Sequence, residues 1–214
     1  MTDAGHVPGT VRPGGRTARI RAAVLRAAED ALIECGSAGV DLAEVARRAG
    51  VGKTTVYRRW GTPQGLVADL LEDMAEQSVR RAETGTLAGD LRANARLVVD
   101  TLTDPRQGVL FKAVISAATG DERTAEALHR FYAARITEWS PCVDRAIARG
   151  EAPEGTDAAE VVRAVSAPLY YRFLVSGDPL DEEAADRSAH AATCAAAAGA
   201  YVRGNGAGPE GPTM

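Results

Sequence analysis

From Thr17 onward the apolar positions Ile20, Ala23, Val24, Ala27, Ala31 and Leu32 return at steps of three and four, the period of one helix face. Gly36 follows as a natural C-cap. Asp41 opens a second, short helix with Glu44 at capping-box spacing. Leu42, Val45, Ala46 and Ala49 lie on one face of it and Gly50 stops it. A third helix begins after Gly52 and runs to Trp60. Pro63 suits the first turn of a fourth, whose buried stripe is Leu66, Val67, Leu70, Leu71 and Met74. Further helical patterns cover Leu87 to Thr103 and Val109 to Ala118. Asp121 then opens a long segment with Leu128, Tyr132, Ile136, Trp139, Val143 and Ile147 in register, where Pro141 predicts a kink or break. Asp157 to about Val175, with a second kink at Pro168, and Asp181 to about Val202 bring the total to about nine helices. No stretch alternates convincingly with period two. The predicted fold is all-α, an N-terminal three-helix bundle followed by a larger helical body.

A length of 214 residues supports one or two domains. At 45% apolar and 25% charged the composition is that of a globular protein, while 5% aromatic residues and recurrent alanine runs reinforce the helical expectation. Residues 1–15 and 204–214 are rich in Gly and Pro and are expected to form a flexible arm and a disordered tail. The net charge of −4 would by itself argue against a nucleic-acid partner. It conceals an asymmetry, however. Residues 1–61 hold ten Lys and Arg against six acids, a net of +4, and the remainder is −8. A basic head on an acidic body suggests two tasks.

The remaining compositional signals narrow the class further. Cys35, Cys142 and Cys194 are odd in number, far apart and lack CxxC spacing, so reduced, half-buried thiols are expected rather than a disulfide framework or a zinc site. His6, His129 and His190 show no HxxxH or HExxH spacing, and metal or Ser-His-Asp chemistry has little support. No enzyme, cofactor or metal is expected. The opening residues lack the apolar run of a signal peptide, and Ala191 to Val202 falls short of the roughly 18–20 residues of a membrane span. A cytoplasmic chain without membrane contact is therefore expected.

The most informative stretch is Gly36 to Trp60, GSAGVDLAEVARRAGVGKTTVYRRW, which reads as a helix-turn-helix. Leu42, Val45, Ala46 and Val51 pack with Val56 and Trp60. The opposite face of the second helix then presents Lys53, Thr54, Thr55, Tyr57, Arg58 and Arg59. Lys53 suits a guanine edge or a phosphate, the hydroxyls suit phosphates, and the two arginines form a charge-assisted clamp. A solvated basic face on an ordinary helix pair would share the charges, but the caps, turn and hydroxyls together favour DNA. GVGKTT at Gly50 to Thr55 also spells the end of a nucleotide-binding P-loop. That motif needs Gly where Arg47 stands, and a buried strand where an amphipathic helix is predicted.

With Gly36, Val45-Ala46, Ala49-Gly50-Val51, Lys53, Thr55-Val56-Tyr57, Trp60 and a Leu66-bearing fourth helix, the segment from Thr17 to Leu66 resembles the tetracycline-repressor (TetR/AcrR) family of bacterial transcription regulators. The body is similar to that family in helix count, order and length, and Leu169 to Gly177 with the following DPLDEE resembles one branch of it. The resemblance implies a DNA-binding domain at 16–62 and a helical ligand-binding and dimerisation domain at 63–203. It implies a ligand-responsive repressor that binds a near-palindromic double-stranded operator as a homodimer, with an unidentified small-molecule effector. Two departures stand out. Asp41 occupies a position where members usually carry a hydroxyl that touches phosphate, so it is excluded from the site. Thr62-Pro63-Gln64 lacks the phosphate-holding Lys often found at the fourth helix, a loss that Arg12, Arg16 and Arg19 could offset from the arm.

The effector lining should come from the sparse large side chains. Phe111, Phe131, Tyr132, Trp139, Tyr170, Tyr171 and Phe173 are candidates, with His129, Arg135 and Arg172 as polar members. Seven of these, Phe111, Phe131, Tyr132, Arg135, Trp139, Tyr170 and Phe173, form the principal set. On the last helix Ala184, Ala185, Ala191, Ala192, Ala195, Ala196 and Ala198 suit a close helix-packed interface. A nucleotide-binding switch using GVGKTT and a helical protein–protein adaptor are the alternative readings.

Overall fold

A computed structural model describes residues 15–77 and 82–203; the expected arm, apart from Gly15, and the tail at 204–214 lie outside the described residues. The elements are α1 (Gly15–Cys35), α2 (Leu42–Arg48), α3 (Lys53–Trp60), α4 (Pro63–Glu76), α5 (Leu87–Thr103), α6 (Gln107–Ala118), α7 (Glu122–Trp139), α8 (Pro141–Ala148), α9 (Ala158–Tyr171) and α10 (Glu182–Ala197). Helices dominate the described residues, and the β-type pairing among them is an isolated bridge between Thr156 and Val202.

Local chemistry sets the boundaries. Asp41 caps α2 by accepting from the backbone N–H of Ala43 at 2.5 Å and of Glu44 at 3.3 Å. Gly50, at φ +65, reverses the chain between α2 and α3, where a side chain would be strained. Thr62 Oγ accepts from the Gly65 N–H at 3.1 Å and Pro63 occupies the first turn of α4, where its missing N–H costs nothing. Asp121, Asp157 and Asp181 cap α7, α9 and α10 through their carboxylates.

Pro141 acts as a break, dividing the long seventh segment into α7 and α8 at Ser140. Pro168 is accommodated inside α9, which gives way to a π-wound turn at Arg172–Ser176 and stops at left-handed Gly177. The last helix is shorter than its alanine run suggests. It ends at Ala197, where Gly199 at φ +79 turns the chain so that the Tyr201 carbonyl accepts from the Asp157 N–H at 2.7 Å.

Two apolar cores result. The first joins Val24, Ala28 and Leu32 of α1 to Val45, Val56, Trp60, Leu66 and Leu71, and continues into Leu110, Phe111 and Val114 of α6 and Phe131 of α7. The second collects Leu87, Leu91 and Val99 of α5 with Trp139, Val143, Val161, Val165 and Leu169, sealed by α10. Each fully buried Leu or Val contributes about 1.5–3 kcal/mol, so the head is fused to α6 and α7 by the same force that folds it. Ala184, Ala185, Ala192 and Ala196 are used inside this second core. Ala191 and Ala198 are exposed, so the alanine stripe divides between internal packing and the outer surface. Ser188 fixes α10 to α9 through a 2.6 Å hydrogen bond to the Val165 carbonyl.

Candidate DNA interface and effector cavity

Helix α3 turns Val56 and Trp60 inward, which obliges the other side of its short cylinder to face water. Lys53, Thr54, Tyr57, Arg58 and Arg59 are exposed there and Thr55 is half-buried; Tyr57, at 49% exposure, projects an aromatic ring into solvent. Among the described residues no acid forms an ion pair with Lys53, Arg58 or Arg59. Arg59 instead lies over the Trp60 ring at 5.1 Å. The neighbouring cations behave differently. Arg47 and Arg48 on α2 both bond to Glu44, at 2.6 and 2.9 Å, and Arg48 also reaches Glu34 of α1 at 2.7 Å. Hydrogen bonds from Arg47 and then Arg48 hold the Glu44 carboxyl down at about 2. Two of the basic residues in the motif are thus neutralised in place, and the uncompensated charge collects on α3. The GVGKTT segment spans the turn after α2 and the first turn of α3, and a helix precedes it where a P-loop requires a strand.

The orientation of α3 is fixed from α4. Asp69 accepts from the Trp60 indole N–H at 2.8 Å and from Arg21 of α1 at 2.7 Å, and Arg21 also pairs with Asp73. Burial works to raise the Asp69 pKa, but the hydrogen bonds from Arg21 and Trp60 outweigh it and hold the carboxyl below the usual carboxylate range. One carboxylate therefore ties three helices together. At Gly65 a Cβ would stand 2.4 Å from the Trp60 carbonyl oxygen, so the approach of α4 to the end of α3 depends on a missing side chain.

Between the two cores lies a cavity of about 870 Å³, within the range of small-molecule sites. It is bordered by Leu25 of α1, Leu70 and Met74 of α4, Asn94 to Thr101 of α5, Phe111 of α6, Phe131 to Trp139 of α7 and Val162 to Tyr170 of α9. A run of rings lines it, tilted from Phe111 to Phe131 at 5.7 Å and edge-on from Phe131 to Tyr132 at 5.2 Å and from Tyr132 to Tyr170 at 5.5 Å. Burial, reinforced by the neighbouring Tyr170, pushes the Tyr132 phenol above its ordinary range. The two phenols act on each other's ionisation, yet the Tyr132 hydroxyl is buried with no partner at hydrogen-bonding geometry. Arg135 stacks on Phe131 at 5.2 Å, pairs with Glu138 at 2.7 Å and donates to the Gln77 carbonyl at 2.7 Å.

Six of the principal lining candidates, Phe111, Phe131, Tyr132, Arg135, Trp139 and Tyr170, therefore share one cavity. Phe173 does not border it. The loosened winding from Arg172 onward carries it off the Tyr170 stripe, and it packs under the Lys112 ammonium at 4.8 Å. Tyr171 and His129 face solvent, and Arg172 donates to the Pro179 carbonyl at 2.9 Å. Periodicity gave no reason to single out Leu25, Asn94, Leu97, Val98 or Ser166, because aliphatic and small residues facing a cavity have the same spacing as those facing a packed core. Cys142 is buried, whereas Cys35 and Cys194 are exposed.

A helix-turn-helix with a free basic face, mounted rigidly on an all-helical body, defines a DNA-binding transcriptional regulator. Residues 24–70 match the family described as bacterial regulatory proteins, tetR family, and residues 81–192 match the tetracyclin repressor-like C-terminal domain. The chain is 30% identical over 161 residues to the regulator YdeS of Bacillus subtilis, covering 75% of this chain and 81% of that one. It is 32% identical over 162 residues to the regulator AqdR of Rhodococcus erythropolis, covering 76% and 77%. The crystal structure of the TetR-family regulator SCO0332 superimposes with a TM-score of 0.64 at 26% identity, covering 82% of this chain and 97% of that chain. The chain belongs to the TetR family of helix-turn-helix transcriptional regulators. Regulators of this family bind DNA operators, typically as dimers that respond to small molecules. Among the described residues no helix is long and apolar enough to cross a membrane.

Proposed function

We propose that this regulator is a cytoplasmic, effector-responsive repressor that binds a near-palindromic operator as a homodimer. The head at 16–62 reads DNA, and the body at 63–203 senses a ligand and pairs with its mate. Lys53, Thr54, Thr55, Tyr57, Arg58 and Arg59 make the DNA contacts. The observation that carries this is the segregation of charge: Arg47 and Arg48 are consumed by Glu44 and Glu34, whereas among the described residues no acid forms an ion pair with Lys53, Arg58 or Arg59. Phosphate contact repays such unpaired charge through counterion release. The DNA-binding transcriptional repressor TetR of Mycobacteroides abscessus, 28% identical over 170 residues, supports the direction of control. Paired heads would enter successive major grooves about 34–36 Å apart. Asp69 links α3 to α4, and α4 borders the cavity, so a bound effector that moves α4 also moves the reading helix. A coupling of about 1–3 kcal/mol is sufficient.

The test is operator binding by fluorescence anisotropy, using the intergenic DNA upstream of the gene at several salt concentrations. Lys53→Ala and Tyr57→Ala each weaken binding about tenfold or more while leaving the circular dichroism spectrum and dimer mass unchanged. Specific binding that survives both substitutions removes α3 from the interface. Removal of the first fifteen residues asks separately whether the arm, with Arg12, adds affinity.

A further inference from the structure

The polar groups that border the cavity divide into two kinds. Of its five charged side chains, four are already engaged: Glu29 by Arg106 at 3.0 Å, Asp73 by Arg21, Arg135 by Glu138 and Arg163 by Glu160. Arg26, the fifth, is exposed on α1. The neutral groups are in the opposite condition. Asn94 is only 5% exposed and Trp139 only 4%, yet among the described residues neither the Asn94 amide nor the Trp139 indole N–H has a hydrogen-bond partner. The Tyr132 hydroxyl is buried with the Tyr170 phenol as its polar neighbour, at a geometry short of a hydrogen bond. A fully buried donor left unsatisfied costs about 1–3 kcal/mol, which applies to the Tyr132 hydroxyl; the Asn94 amide and the Trp139 indole border the same 870 Å³ space without a protein partner among the described residues. Trp139 can only donate, and Asn94 and Tyr132 can both donate, so the unmet demand is for acceptor oxygens.

Resting on the effector reading above, we infer that the cavity takes an uncharged, flat aromatic compound bearing carbonyl-type acceptor oxygens. The edges and faces of Phe111, Phe131, Tyr132 and Tyr170 hold the ring system, while Asn94, Trp139 and Tyr132 supply hydrogen bonds to the oxygens. An anionic ligand would lose its hydration beside those donors with Arg135 and Arg163 already neutralising carboxylates, and Arg26, exposed on α1, is the cation left to it. The donor set thereby selects for polarity without charge.

Three probes of nearly the same shape separate the possibilities: 1-tetralone, tetralin and tetralin-1-carboxylate, titrated by calorimetry into the full-length protein. The expected result is at least tenfold tighter binding of 1-tetralone than of either analogue. Asn94→Leu abolishes most of that preference without weakening tetralin, and Trp139→Phe does the same through a second donor should the first variant fold poorly. Equal binding of tetralin and 1-tetralone overturns the proposal, because the donors would then be idle. Tightest binding of the carboxylate, lost in Arg26→Ala, overturns it in favour of an acid site at the rim, and failure of all three to bind overturns it as well. Operator anisotropy measured with each probe isolates the underlying reading. Selective 1-tetralone binding with no change in operator affinity leaves the ligand class standing and removes the effector role.

Discussion

The outer face of α3 and the walls of the cavity are both built from polar and aromatic side chains, but they differ in what those side chains do for the fold. On α3, Lys53, Tyr57, Arg58 and Arg59 face solvent and hold no ion pair among the described residues, so they are available to a partner at little structural cost. Around the cavity nearly every charged group is already bound to another, and the aromatic rings belong partly to the packed cores. A surface of the first kind can exchange partners freely. A cavity of the second kind couples occupancy to packing, because its walls are the seam between the two cores.

The sharpest way to break the comparison is to remove the group connecting the two regions. Asp69→Ala leaves Arg21 and the Trp60 indole without their shared acceptor, and should cost about 2–3 kcal/mol in urea unfolding along with most operator affinity. Full stability with intact DNA binding would show that α3 is oriented by other contacts. The same carboxylate gives a pH signature. Its folded pKa lies below the unfolded value of 3.8, so its stabilisation is complete above that value and is lost as pH falls through the lower, folded value. Acid titration of Asp69→Ala should therefore show a shallower loss of stability below about pH 4 than the parent protein.

Gly65→Ala comes next, with an expected cost of about 1–3 kcal/mol, because the new Cβ meets a backbone oxygen rather than a flexible chain end. A melting temperature equal to that of the parent would mean that α4 can shift freely. Tyr57→Ala should change unfolding free energy by no more than about 0.5 kcal/mol while weakening operator binding, which is the separation expected of a side chain that serves only a partner. Lys53→Ala should reduce the slope of log affinity against log salt by about one. Arg47→Ala is the smallest effect. Its pair with Glu44 is exposed, so stability should move by less than about 1 kcal/mol. A steep loss of operator affinity would instead show that Arg47 abandons Glu44 for phosphate.

Much of the fold could be read locally. Asp41, Gly50, Gly52 and Pro63 mark helix ends through bonds or dihedrals confined to a few residues, so the bounds of α2 and α3 and the start of α4 follow from spacing alone. Pro141 marks an interruption for the same reason. Phe173 and the end of the last helix were not legible. Each depends on a long-range event, the π turn that diverts Phe173 and the contact between Tyr201 and Asp157 that draws the chain away after Ala197. Asn94 is not legible as a lining residue, because a lone amide in a helical pattern resembles any surface Asn until its surroundings are known.

The sequence by itself determined the helical periodicity, the caps, the helix-turn-helix and the basic character of residues 1–61, since these are properties of residues within a few positions of one another. The tertiary structure alone decided which cations form ion pairs, that Asp69 joins α1, α3 and α4, and that Asn94, Tyr132 and Trp139 border a common cavity. Pairing and desolvation depend on distances between residues far apart in the chain, and packing sets those distances.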